Sequence, residues 1–229
     1  MENCATTTRE RCGGQGYLTA NYLGMSIGFS HAGISAEGDN AVLIQKVAKE
    51  LMAAVQKGNI VYPKVSWNKK FNNEGLIQLI MLREQKLLAL LSKNMQQKMK
   101  NASLFDVWMK QESDTIQALG KSFGERICAT AFHSKLANAP LEFTQIFELY
   151  CLHSIVNTLS IFYNLDLITS SEGRALIDAY HSSIKVVAAF SLTLVDFIGV
   201  DKDMVRAPIA NDWVAYNAVD NRGELKPKI

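Results

Sequence analysis

The chain has 229 residues, 48% of them hydrophobic and 20% charged, which is enough apolar material to bury a substantial core in one or two domains. Its 24 basic and 22 acidic side chains leave a formal net charge of +2 and are interspersed, so there is no electrostatic footprint for a nucleic acid or an anionic membrane, and small ligands and protein partners remain. Cys4, Cys12, Cys128 and Cys151 show neither Cys-x-x-Cys spacing nor a histidine at metal-ligand distance, which argues against a zinc site, offers no disulfide framework and makes a reducing compartment the default.

The first fifteen residues carry Glu2, Arg9, Glu10 and Arg11 with no apolar run and do not form a secretory signal. Next comes Cys12-Gly13-Gly14-Gln15-Gly16-Tyr17, whose glycines free the backbone to bend sharply and bring amide N–H groups close to an anionic ligand such as a pyrophosphate. The same cluster is satisfied by a plain tight turn, and no strand precedes it, so it is not a Rossmann fingerprint. Phe29-Ser30-His31-Ala32-Gly33 is taken as a linker, with His31 in a glycine-flanked loop and without a chemical role. Glu37, in Glu37-Gly38-Asp39-Asn40, is either a helix first-turn acid favoured by the macrodipole or a base.

From residue 40 onward the apolar spacing is helical. Val42, Leu43, Val47, Leu51 and Ala54 predict a helix over 40–57 with Gly58 as a left-handed cap. The stretch 59–73, with Pro63 and isolated aromatics, is a connection and marks a boundary between a first domain, 1–58, and a second, 59–229. Helices are predicted over 74–100, over 104–136 from a Ser103-x-x-Asp106 box, from Pro140 to about Phe162, and from a Thr169-x-x-Glu172 capping box to a stop at Gly199. His133, His153 and His181 fall within these patterns without a partnered Asp or Ser and are read as structural. Short breaks and the lack of strand alternation make the chain all-α, an up-and-down helical bundle. No stretch of eighteen uncharged apolar residues predicts a membrane span, and Lys226-Pro227-Lys228-Ile229 do not spell the small-basic-Leu peroxisomal address.

The glycine cluster and Glu37-Gly38-Asp39-Asn40 together resemble the active-site end of the flavin-dependent acyl-CoA oxidases, and Leu192 to Gly199 followed by Ala207-Pro208-Ile209-Ala210 resembles the end of that family's extra C-terminal helical domain. The resemblance implies FAD as cofactor, with Gly13, Gly14, Gly16 and Tyr17 on its adenine-pyrophosphate side, and Glu37 as the base that removes the α proton of an acyl-CoA. It implies conversion of acyl-CoA and O2 to trans-2-enoyl-CoA and H2O2, a peroxisomal location and a homodimer. Ser35-Ala36 precede Glu37 where the family commonly has Thr-Phe. Because these motifs lie in the second half of a family member, the chain is expected to be the C-terminal part of such an enzyme, without the N-terminal and β domains and inactive alone. The alternative left open is a helical interaction or scaffold subunit derived from the family.

Overall fold

The computed structural model describes residues 2–36 and 38–220. The chain begins with α1 (Glu2–Arg11), the single turn α2 (Gly14–Tyr17) and α3 (Leu23–Ser35). It continues with α4 (Asn40–Gln56), α5 (Asn73–Lys98), the short α6 (Leu104–Asp106), which runs into a π-helical stretch Val107–Gln111, then α7 (Ser113–His133), α8 (Leu141–Val156), α9 (Leu159–Asn164) and α10 (Ser170–Ala188). It closes with α11 (Ser191–Ile198) and α12 (Trp213–Asp220), and the described residues contain no strand, so the all-α expectation holds. Ala41–Ser191 form one compact unit, and the described residues on either side of it form the other. Among the described residues no single helix is long and apolar enough to cross a membrane.

The larger unit is built on α5. Asn72 caps it by accepting from the Gly75 N–H at 3.0 Å, and one stripe of the helix is buried along its length. Its first part, Leu76, Leu79 and Ile80, packs with Ala129 late in α7 and with Phe147, Leu152 and Ile155 of α8. Its later part, Leu87, Leu88, Leu91 and Met95, packs with Ile116 and Leu119 early in α7 and with Ala48 and Leu51 of α4. Early α5 meets late α7 and the reverse, so the two helices are antiparallel, as an up-and-down bundle requires.

Between these two apolar clusters α5 carries Arg83 and Glu84, 1% and 0% exposed, opposite Glu125 and Arg126 of α7. The pairs are crossed: Arg83 binds Glu125, while Arg126 Nε donates to Glu84 Oε2 at 2.5 Å. Arg83 also donates to Thr158 Oγ1 at 2.6 Å and to the Ser154 carbonyl at 3.3 Å, and Tyr62 donates its hydroxyl to Glu84. Burial, followed by the hydrogen bond to Glu84, pushes the Tyr62 phenol well above its ordinary range. Burial pulls the Arg126 guanidinium down, but the hydrogen bond and charge of Glu84 outweigh it and hold the group above its ordinary value.

Several helices predicted as continuous are interrupted. The 104–136 helix starts at its Ser103 cap, which accepts from the Asp106 N–H at 3.1 Å, but the Glu112 N–H reaches back five residues to the Val107 carbonyl at 2.9 Å and makes a π turn. That shift accompanies Glu112, 2% exposed, accepting from Lys98 Nζ at 2.5 Å and Asn94 Nδ2 at 3.2 Å. The Pro140 helix breaks at residues 157–158, where the Thr158 hydroxyl turns back to the Ser154 carbonyl, and the last long helix breaks at 189–190. Pro140 stands one residue before its helix rather than inside the first turn. The Thr169–Glu172 capping box forms in full, and Gly58 and Gly199 take positive φ at 74° and 73°.

Candidate functional site

The glycine turn follows directly from how α1 ends. The Gly13 N–H closes on the Glu10 carbonyl at 3.1 Å, and Gly13 then takes φ 57° and ψ −136°, a conformation that a side chain disfavours. The backbone reverses into α2, where the Gly16 N–H returns to the Gly13 carbonyl at 3.0 Å. A Cβ on Gly16 would lie 2.1 Å from the Arg9 carbonyl oxygen, so this glycine lets the turn lie against α1. Around Gly13 and Gly14 a Cβ would meet nothing within 4 Å, so the backbone there is open to approach. Tyr17 is 79% exposed, with the Arg9 guanidinium 5.7 Å from its ring centre.

Sequence reasoning missed the residue that fixes this turn. Asn21 is 2% exposed, donates through Nδ2 to the Gln15 carbonyl at 2.8 Å and accepts through Oδ1 from the Ile209 N–H at 2.9 Å. One buried amide thus joins the glycine turn to the Ala207–Ala210 segment that the sequence had already singled out. No local signal marks Asn21, because its second partner is 188 residues away.

The Phe29–Gly33 stretch is not a linker. It belongs to α3, and His31, exposed on that helix, lies 3.7 Å from Glu2 of α1. Gly24, Gly28 and Gly33 interrupt any apolar periodicity, so the helix carries no amphipathic signature and its Met25 and Phe29 are exposed. Glu37 lies outside the described residues. On one flank the Gly38 N–H bonds to the Ser35 carbonyl at 3.2 Å with φ 119° at Gly38, and on the other α4 begins at Asn40.

Compared with known families, residues 1–52 match the profile described as the acyl-CoA oxidase C-alpha1 domain, and residues 72–212 match the acyl-CoA oxidase profile. The chain belongs to the acyl-CoA oxidase family. That is a family of oxidoreductases acting in fatty acid oxidation. No curated protein sequence matches this acyl-CoA oxidase family member. Among solved structures it superimposes on acyl-CoA oxidase 3 from Yarrowia lipolytica with TM-score 0.84 at 17% identity, over 99% of this chain and 37% of that one. The acyl-CoA oxidase 1 of Arabidopsis thaliana gives 0.83 at 17%, over 99% and 39%. The acyl-CoA oxidase-1 of Caenorhabditis elegans, solved in complex with FAD and ATP, gives 0.82 at 14%, over 97% and 37%. At these identities the likeness is one of fold, and the chain spans between 37% and 39% of the length of these three relatives.

Proposed function

We propose that this chain is the C-terminal portion of an FAD-dependent acyl-CoA oxidase that converts acyl-CoA and O2 to trans-2-enoyl-CoA and H2O2 in the peroxisome, as a homodimer completed by N-terminal and β domains. Residues 1–58 are read as the end of the family's first helical C domain and 59–229 as its C-terminal helical domain. The observation that carries the reading is the open backbone at Gly13 and Gly14, within a stretch that matches the family's C-alpha1 domain and runs on to Glu37.

The residues present fit a flavin dinucleotide at that turn. Gly13 is held at positive φ with no side chain to block an approaching diphosphate, Gly14 is equally open, and Tyr17 offers an exposed ring beside them. Gly16 contributes by allowing the turn to exist rather than by contact. FAD, when bound, supplies the acceptor for the β hydrogen and passes the electrons to dioxygen. This chain contributes the base: the Glu37 carboxylate takes the α proton, and the Glu37 backbone N–H stabilises negative charge developing on the thioester oxygen.

The test is Glu37→Gln in the protein that joins this region to its flavin-binding half. Acyl-CoA turnover is expected to vanish while flavin absorbance stays near normal, since an amide accepts no proton. Flavin reduction by substrate at the unmodified rate would remove Glu37 from the chemistry, whereas absence of turnover in the unmodified protein would favour the scaffold reading.

A further inference from the structure

A cavity of about 1070 Å³ opens within the larger unit, between the second half of α4, the later half of α5 and the wall formed by α6 with the π-helical stretch. Its surface is mostly apolar. Met52, Met95, Met99 and Met109 supply unbranched, adaptable side chains, and Phe105 and Trp108 close one wall. Trp108 is held in place by its indole N–H, which donates to Gln45 Oε1 at 3.1 Å. The volume lies just above the ~300–1,000 Å³ range of small-molecule sites, and such sites pair an apolar lining with a few polar groups that set orientation.

Those polar groups are at the edge. Lys49 is exposed and lines the cavity, and it is the one ionisable residue among the described lining residues, with no carboxylate there to oppose it. Its neighbour Lys46 pairs with Glu50 at 3.8 Å, whereas Lys49 has no ion pair among the described residues. The remaining polar lining, Gln56, Ser92 and Gln96, is neutral. An apolar hollow with a single cation at its edge and no acid is complementary to a long alkyl chain ending in negative charge, and it disfavours a cationic ligand.

We propose that this cavity binds a single-chain amphiphile with an anionic head, the alkyl chain lying among the methionines and the head at Lys49. The site is built within Ala41–Ser191 and does not depend on Glu37 or on the glycine turn. A free fatty acid and an acyl-CoA share this chemistry.

The experiment titrates the 229-residue chain with cis-parinaric acid and follows its fluorescence, with palmitate, palmitoyl-CoA and hexadecanol as competitors. Saturable binding near one probe per chain is expected, weakened about five- to tenfold by Lys49→Glu, the size of losing one partly solvated charge pair and gaining a repulsion. Ala53→Trp, which fills the cavity, is expected to abolish it; should that variant lose helicity by circular dichroism, Ser92→Phe makes the same test from α5. Hexadecanol should compete less well than palmitate and be indifferent to Lys49→Glu. Displacement by palmitate alone identifies the free acid, and displacement by palmitoyl-CoA extends the site to the thioester. Absence of saturable binding, binding unmoved by both the charge and the filling variants, or binding that fades with protein concentration as a dimer forms over the cavity would each overturn the proposal.

Discussion

Replacing Glu84 by Gln probes the crossed ion pairs at the centre of the larger unit. Glu84 is fully buried and receives Arg126 Nε at 2.5 Å, Arg126 Nη2 at 3.2 Å and the Tyr62 hydroxyl. With glutamine in its place Arg126 keeps its charge, its side chain still only 14% exposed, and loses its counter-ion. Removing one partner of a buried pair costs about 3–5 kcal/mol, because the surviving charge is left desolvated. Arg126 retains ring contacts with Phe123 at 5.1 Å and Tyr62 at 5.9 Å and some access to water, which places the expected loss near the lower end, about 3 kcal/mol. Against a domain stability of about 5–15 kcal/mol that is a large fraction, readily resolved by urea denaturation followed by circular dichroism. The paired variant Glu84→Met with Arg126→Met leaves no orphaned charge and should recover to within about 1 kcal/mol of the original chain. A loss under about 1 kcal/mol for Glu84→Gln, or a paired variant no more stable than the single one, would refute the argument that the penalty arises from the stranded cation.

Three further outcomes follow from other parts of the fold. Burial alone would lift the Glu112 carboxyl, but hydrogen bonds led by Lys98 and Asn94 reverse this and hold it below the ordinary glutamate value, so its stabilisation is present above the unfolded value of ~4.3 and is lost as pH falls from there through the lower folded value. Glu112→Gln should therefore flatten the acid limb of a pH–stability curve, and an unchanged acid limb would remove Glu112 from it. Gly120→Ala sets a Cβ 2.5 Å from Ile44 Cγ2 and 3.0 Å from its carbonyl oxygen and should destabilise by about 1–3 kcal/mol, whereas Gly28→Ala, helical and with nothing within 4 Å, should stabilise by about 0.4–1 kcal/mol; thermal melts giving the same sign for both would contradict the packing described. In a complete flavoenzyme containing this region, Gly14→Val should lower flavin occupancy after dialysis by blocking the open backbone while leaving helicity intact, and full occupancy would reduce the turn to a purely structural role.

Much of the helical architecture was legible because its determinants are local. Asn40 begins α4, Gly58 turns left-handed just beyond its end, and Thr169 and Glu172 cap α10 reciprocally, all through residues within four positions of one another. What was not legible depends on distant partners or on glycine. The π turn at Val107–Gln111 leaves the apolar spacing almost unchanged over one turn, so periodicity cannot distinguish it from continuous helix. Helix α3 was missed because Gly24, Gly28 and Gly33 weaken its propensity and no amphipathic stripe compensates. Arg83 and Glu84 carry the charge expected of a solvated face, and it is partners distant in sequence, Glu125 and Arg126 first among them, that make them interior residues. At the candidate site, the glycines and Tyr17 were singled out through the family resemblance, whereas nothing in the sequence marks Asn21, whose second partner lies 188 residues away.

The hydrogen bonds of Asn21 also bear on the order in which the molecule is made. The unit Ala41–Ser191 is continuous in sequence, so all of its contacts are available once that stretch has been synthesised. The unit holding the glycine turn draws on both sides of that stretch, and the buried Oδ1 of Asn21 lacks the N–H that donates to it until Ile209 emerges. Completion of the glycine turn therefore waits for chain made well over a hundred residues later, so a turn synthesised ahead of the Ala41–Ser191 unit gains its last buried hydrogen bond only after that unit has been made.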